Sequence, residues 1–253
     1  MCKKIGLFLV FTIALLTLVG CGNKNEETLT VSIAASLQKP MEQIAENFEK
    51  ESGIKIQYNV GGSGTLKKQI VDGADVDLFL SANTKYVGEL EEAGLTSKED
   101  TSKLLTNSLV LIEGNSVSKK INSLDDLKEV DGKIAIGEIS TVPAGQYAKQ
   151  TLDKLGLYDA VKDKLVFARS VTNVKTYVEN GEADFGFVYK TDAMDLKNSN
   201  IAYEIPNEDH KPIEYELCLL KNSKKVKSSE KFIEFLKREQ SKKIFVQYGF
   251  GVN

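Results

Sequence analysis

One histidine, His210, and three cysteines in 253 residues leave little material for a zinc site. The chain has no basic stripe, and its net charge is −3, which argues against a nucleic-acid partner. It has no Gly-Lys-Ser/Thr step, so the glycine-rich stretch "NVGGSGTLKKQI", Asn59 to Ile70, is not a nucleotide P-loop. There is no short-period repeat and no low-complexity tract. At 42% hydrophobic and 27% charged residues the composition is that of a globular protein, with length for one large domain or two small ones.

The long apolar run stands at the N-terminus. Ile5 to Val19 follows Lys3 and Lys4 and spans 15 residues. A membrane span needs roughly 20, so the run suits the core of a signal peptide. "LVGC", Leu18 to Cys21, resembles a bacterial lipoprotein signal, with Cys21 as the lipidated first residue of the mature chain. Residues 1–20 are then the signal peptide and residues 21–28 a lipid-anchored polar tether. Cleavage removes Cys2, so Cys218, in the apolar run "YELCLL", has no intramolecular partner and reads as a buried, inert thiol. Cleavage also removes two lysines and no acid, which takes the net charge from −3 to −5. An anion would have to be held here by local geometry, since the overall field repels it.

From Leu29 onward strands and helices alternate. "LTVSIAAS" and "IKIQYNV" read as strands; between them Met41, Ile44, Ala45 and Phe48 share one helical face, with Pro40 in a first turn and Gly53 as a stop. "VDLFLSA" continues as a strand and "TKYVGELEEAGL" as a helix. A second series follows, with "SLVLIE", "KIAIGE", "KLVFA" and "ADFGFVY" as strands and "SLDDLKEV", "AGQYAKQTLDKLGL" and "VTNVKTYVENGE" as helices. "IEYELCLLK" is a further strand, and the tail from Ser228 reads as helix. Such alternation predicts an α/β fold of two lobes, each a mainly parallel sheet flanked by helices.

Open α/β sheets bind ligands beyond the carboxyl ends of their strands. Here the strand-to-helix turns share a chemistry. "AASLQKP" offers Ser36, "GGSGT" offers Ser63, "STVPAGQ" offers Ala144 behind Pro143, and "ARSVTN" offers Ser170 and Val171. None carries a central cation; Arg169 is the nearest and reads as a solvated side chain. Tyr189 ends the "GFVY" strand, where its hydroxyl can reach a shared cleft. Glycines ahead of a helix let another group approach the backbone, and a helix start presents unpaired N–H groups and partial positive charge. For Ser63 the plainer reading is the N-cap of an ordinary helix.

On these residues the chain resembles the molybdate-binding proteins of bacterial ABC transporters. The matching signatures are "AASL", "SGTLKKQIVDGADVDLFLSA", "NSLV", "VPAGQYAKQTLDKLG", "GFVYKTDA" and "QYGF", which together cover essentially the whole mature chain. The resemblance implies a type II periplasmic-binding-protein-like fold, with residues 29–106 plus 216–253 as one lobe, residues 107–215 as the other, and the ligand cleft between them. It implies that molybdate, or the near-isosteric tungstate, is held through its oxygens by Ser36, Ser63, Ala144, Val171 and Tyr189. Val171 follows from ungapped counting back from Tyr189, and Val174 competes with it. It further implies a monomer anchored outside the cell membrane through Cys21, an ABC permease and its ATPase as partners, no cofactor and no catalysis. Ser63→Ala is expected to weaken molybdate binding about tenfold or more, with little change in apo melting.

A bare tetrahedral dianion brings acceptors and no protons, and the implied site is nearly all donors. Hydrogen phosphate would need an acceptor for its proton, and no Asp or Glu stands among the five positions. Sulfate, unprotonated and smaller, is the harder competitor. A hydrolase would need a nucleophile with a base, and His210 in "NEDHKP" reads as solvated rather than catalytic. Asp75 and Asp77 in "DGADVD" read as a loop before a strand rather than a carboxylate pair. A metal-ion receptor would require clustered Tyr, His or carboxylates at the strand ends.

Overall fold

The computed structural model describes residues 27–252. The expected signal peptide, lipidated Cys21 and most of the tether lie outside the described residues. Strand β1, Thr28–Ala34, already takes in Thr28, which pairs with Lys55.

The first series builds one sheet. After β1 a short 3-10 turn, Ala35–Leu37, leads into α1, Gln38–Ser52. Met41, Ile44 and Phe48 of α1 are buried, and Gly53 ends the helix at φ +71°, where a side chain would be strained. There follow β2 (Lys55–Gly61), α2 (Ser63–Val71), β3 (Leu78–Ser81), α3 (Thr84–Glu92) and β4 (Thr101–Asn107). One residue, Ser108, separates β4 from β5, Leu109–Gly114, which opens the second sheet. That sheet is completed by β6 (Ile134–Gly137), α4 (Pro143–Lys154), α5 (Tyr158–Val161), β7 (Leu165–Ala168), α6 (Val171–Glu179), β8 (Phe185–Tyr189) and β9 (Ser199–Glu204). The chain then returns to the first sheet through β10 (Ile213–Leu219), α7 (Val226–Lys237), α8 (Glu239–Gln247) and β11 (Gly251–Val252).

The six-stranded sheet runs β11-β4-β10-β3-β1-β2 and the five-stranded sheet β7-β6-β8-β5-β9. Both are mixed rather than mainly parallel. β1 lies parallel to β2 and β3, and β6 parallel to β7 and β8, pairings that the helices crossing between those strands allow. The strands that carry the chain between sheets pair antiparallel: β10 with β3 and β4, and β5 with β8 and β9. Two neighbouring crossings thus join the sheets, an arrangement suited to hinge motion.

The tail packs back on the first sheet. Phe232 and Phe235 of α7 meet Phe48 of α1 at ring-centroid distances of 4.9 and 5.2 Å, tilted and edge-on as aromatic quadrupoles favour. The tail is two helices, not one, because Arg238 turns to ψ 153° between α7 and α8. "SLDDLKEV" forms only a 3-10 turn, Leu124–Lys128, closed by a capping box between Ser123 and Asp126; so short a segment does not repay helix nucleation. Cys218 is fully buried, and burial pushes its thiol up to about 12.

Candidate functional site

The ends of β1, β2 and β8, Ala82 just past β3, and the starts of α4 and α6 converge on a cavity of about 10 Å³ between the sheets. Ser36, Ala144, Val171 and Tyr189 line it, with Gly62, Ala82 and Val142 among their neighbours. No lining residue carries a charge. Ser63 stands beside it, fully buried, with its Oγ accepting the N–H of Ala82 at 3.1 Å. The residues expected at the site are therefore gathered in one place although they come from both sheets.

Three helices begin here. Gly62, not Ser63, is the N-cap of α2; Ser63 is the first helical residue and its hydroxyl caps nothing. α4 starts at Pro143, whose missing N–H is no loss in a first turn. Its cap, Val142, offers no side-chain hydrogen bond, so the Ala144 amide at the second position has no capping partner. α6 starts at Val171 behind Ser170, whose Oγ takes the N–H of Asn173 at 3.2 Å. The competing Val174 spends its amide on the Ser170 carbonyl at 3.2 Å, whereas Val171 lines the cavity. Helices α2, α4 and α6 together direct the positive ends of their dipoles to the space between the sheets.

Tyr189 is the telling side chain. It is 1% exposed, and its hydroxyl is buried without a hydrogen-bond partner in the protein. Such an orphan costs about 1–3 kcal/mol unless a ligand or water satisfies it. Burial, and then the neighbouring Tyr215, push its phenol well above the ordinary range, so it remains a donor.

The sheets meet closely around this cavity. The Gly64 N–H donates to the Thr141 carbonyl at 2.8 Å, and a Cβ on Gly64 would stand 2.7 Å from Thr141 Cα. This accounts for Gly64 and, through a Cβ contact of 3.1 Å with the Thr141 and Arg169 carbonyls, for Gly62: the start of α2 touches the other sheet's backbone, and glycine allows the approach. Tyr86 donates to the Ser140 carbonyl at 3.1 Å, Tyr147 to the Ala82 carbonyl at 3.4 Å, and Asn83 to Gln146 at 3.1 Å. A Lys39–Asp195 ion pair also crosses, but both groups are about half exposed and contribute little. On the outer side Arg169 is exposed at the rim of an open groove shared with Gly62 and Thr141.

Several residues outside the cavity differ from their sequence reading. His210 is buried, not solvated: its ring lies 5.7 Å from that of Tyr147, and Nδ1 donates to the Lys211 carbonyl at 2.8 Å. Asp77 is structural, accepting the Thr30 N–H at 2.8 Å, the Ser223 hydroxyl at 2.7 Å and Lys225 at 3.1 Å. Among the described residues no group of three or more His, Cys, Asp or Glu could hold a metal ion. Sequence reasoning missed Ala82, Asn107 and Tyr215. The bond from Ala82 also changes the expectation for Ser63→Ala: the substitution strands a buried N–H, so apo stability falls as well.

Known proteins share this architecture. YvgL of Bacillus subtilis strain 168, provisionally named an ABC transporter substrate-binding lipoprotein, is 40% identical over 99% of each chain. The molybdate-binding protein ModA of Haemophilus influenzae is 35% identical, with 88% of this chain and 89% of its own covered. The structure of the periplasmic molybdate-binding protein of Azotobacter vinelandii superposes with a TM-score of 0.81 at 25% identity, covering 89% of this chain and 99% of that one. Residues 29–251 match the family described as bacterial extracellular solute-binding protein, and the chain belongs to that family.

Proposed function

We propose that this solute-binding protein captures molybdate, and the near-isosteric tungstate, as a bare tetrahedral oxyanion and delivers it to an ABC permease and its ATPase. The ion is held by the hydroxyls of Ser36, Ser63 and Tyr189 and by the amides of Ala144 and Val171. The lobe of the six-stranded sheet takes in β4 to Asn107 and β10 from Ile213, which moves the expected bounds of 106 and 216 by one and three residues; it and the lobe of the five-stranded sheet close as a monomer over the ion. Cys21 carries the lipid that tethers the receptor outside the cell membrane.

The observation that carries this reading is the buried, unpartnered hydroxyl of Tyr189 in an uncharged cavity at the starts of three helices. Charge-assisted hydrogen bonds contribute roughly 1.5–3 kcal/mol each, and about five of them offset much of the dehydration of a dianion. Neutral donors suffice because helix starts supply positive potential without a cation. The names of relatives at 35% identity point to molybdate. The cavity, at about 10 Å³, is close to the volume of one water. The sheets must therefore part to admit any oxyanion, and cavity size alone does not favour molybdate over sulfate. Melting of the protein with saturating molybdate, tungstate, sulfate and phosphate tests the assignment. The expected result is a rise of several degrees with the first two only; an equal rise with sulfate contradicts it.

A further inference from the structure

We propose that Tyr215, oriented by Asn107, is a positioning residue that turns Ser36 into a hydrogen-bond donor and so biases the site against protonated oxyanions. This rests on the reading that Ser36 contacts the ion.

The argument is one of donor accounting. Asn107 ends β4 at the crossing between sheets, and its Oδ1 accepts the Ser108 N–H at 2.9 Å. That bond fixes the amide, since an oxygen and not an NH₂ must face an N–H. The Nδ2 hydrogens then point the other way, one to Thr191 Oγ1 at 2.9 Å and one to the Tyr215 hydroxyl at 3.1 Å. Tyr215 is 0% exposed, so no bulk water competes for its hydroxyl. Having accepted from Asn107, it directs its own proton to Ser36 Oγ, 2.8 Å away. Ser36 therefore accepts from Tyr215, and its proton is turned away from the phenol, towards the cavity that it lines.

The chain of bonds thus runs in one direction, Asn107 to Tyr215 to Ser36 to ligand, and each step polarises the next. Had Tyr215 been an acceptor only, the Ser36 proton would point at it and a lone pair would face the cavity. A lone pair there would welcome the P–O–H of hydrogen phosphate, whereas a proton welcomes the unprotonated oxygens of molybdate or sulfate. Rotatable serine hydroxyls leave exclusion of phosphate partial; Tyr215 supplies the missing direction. The relay also touches Thr191 of the second lobe, so it forms only where the crossing strand, the returning strand and the second sheet meet.

The test is titration of molybdate, sulfate and phosphate at one fixed pH into the parent, Tyr215→Phe, Asn107→Asp and the Ser36→Ala pair with and without Tyr215→Phe. Tyr215→Phe keeps the ring and removes the relay. Asn107→Asp replaces the donor by an acceptor and reverses the relay; with the fixed pH held well above the second ionisation of phosphate all three anions are dianions, and the new charge repels them alike. The expected result is a rise of about tenfold in phosphate affinity relative to sulfate and molybdate in Tyr215→Phe, and at least as much in Asn107→Asp. In the Ser36→Ala background Tyr215→Phe should leave the ratio unchanged. Should Tyr215→Phe fail to fold, Asn107→Asp reads the same ratio. A purely structural Tyr215 weakens all three anions equally, and unchanged ratios in a parent that binds molybdate overturn the proposal. A parent that binds no molybdate overturns the functional reading first, and the proposal with it.

Discussion

The two sheets furnish the site by different chemistry. The six-stranded sheet presents side-chain hydroxyls, Ser36 and Ser63, whereas the five-stranded sheet presents the first-turn amides of α4 and α6 together with Tyr189. An amide at a helix start is a donor by geometry and cannot accept. A serine is a donor only when its surroundings make it one, and here both serines are engaged from behind, Ser36 by Tyr215 and Ser63 by Ala82. On the proposed reading, Tyr189 apart, donors are fixed by the backbone on one side and must be set by neighbouring residues on the other.

The most severe way to break it is at the amide platform. A Cβ on Gly145 would stand 1.9 Å from the Gly137 carbonyl oxygen, so Gly145→Ala must displace the first turn of α4. A loss of about 3 kcal/mol or more in urea denaturation is expected, together with loss of binding.

Gly64→Ala probes the contact between the sheets. Its new methyl meets Thr141 of the other sheet and, at 2.8 Å, the Tyr86 hydroxyl of its own, so closure meets fixed backbone while within the lobe only a side-chain end has to shift. Molybdate Kd should rise roughly tenfold to a hundredfold. Apo melting should change little, alanine's better helix propensity offsetting the shift of Tyr86. Calorimetric titration beside apo melting separates the two effects; parallel losses would show that Gly64 serves the fold alone.

The smallest effect concerns Asp192, just past Tyr189 in the second lobe. Burial pushes its carboxyl from 3.8 up to about 7, and Oδ2 has no partner. The folded state then holds the proton more tightly than the unfolded one, so this group's contribution is fully present below about 4 and is lost as pH rises through about 7. Asp192→Asn should melt a few degrees above the parent at neutral pH and level with it in acid. A gap independent of pH would remove Asp192 from the account.

Much of this was legible in the letters because strand-to-helix turns announce themselves. A run of β-branched residues followed by Ser, Gly or Pro and then a 3.6 period marks where a helix begins, and the amides proposed to hold the ion lie at such points. The edge and crossing strands were less visible. β4 reads "TSKLLTN" and β9 "SNIAYE", mixed polar sequences whose pairing is imposed by β10 and β5 rather than by local preference. The break at Arg238 has no Gly or Pro to mark it. Among polar neighbours in "NEDHKP", His210 is buried because Tyr147, distant in sequence, covers it. Nothing in the strand "IEYELCLLK" marks Tyr215, because its hydroxyl partners Ser36 and Asn107 are 179 and 108 residues away. What stayed hidden was the second row of contacts, which depends on how two sheets meet.

The most direct test is a crystal structure of the protein with molybdate, the metal located by its anomalous scattering. The account places the ion between the sheets, its oxygens within hydrogen-bond reach of the Ser36, Ser63 and Tyr189 hydroxyls and the Ala144 and Val171 amides. Molybdenum seated instead beside Arg169 in the outer groove, or between Lys39 and Lys175, which line a second groove beside Ser36, would contradict it.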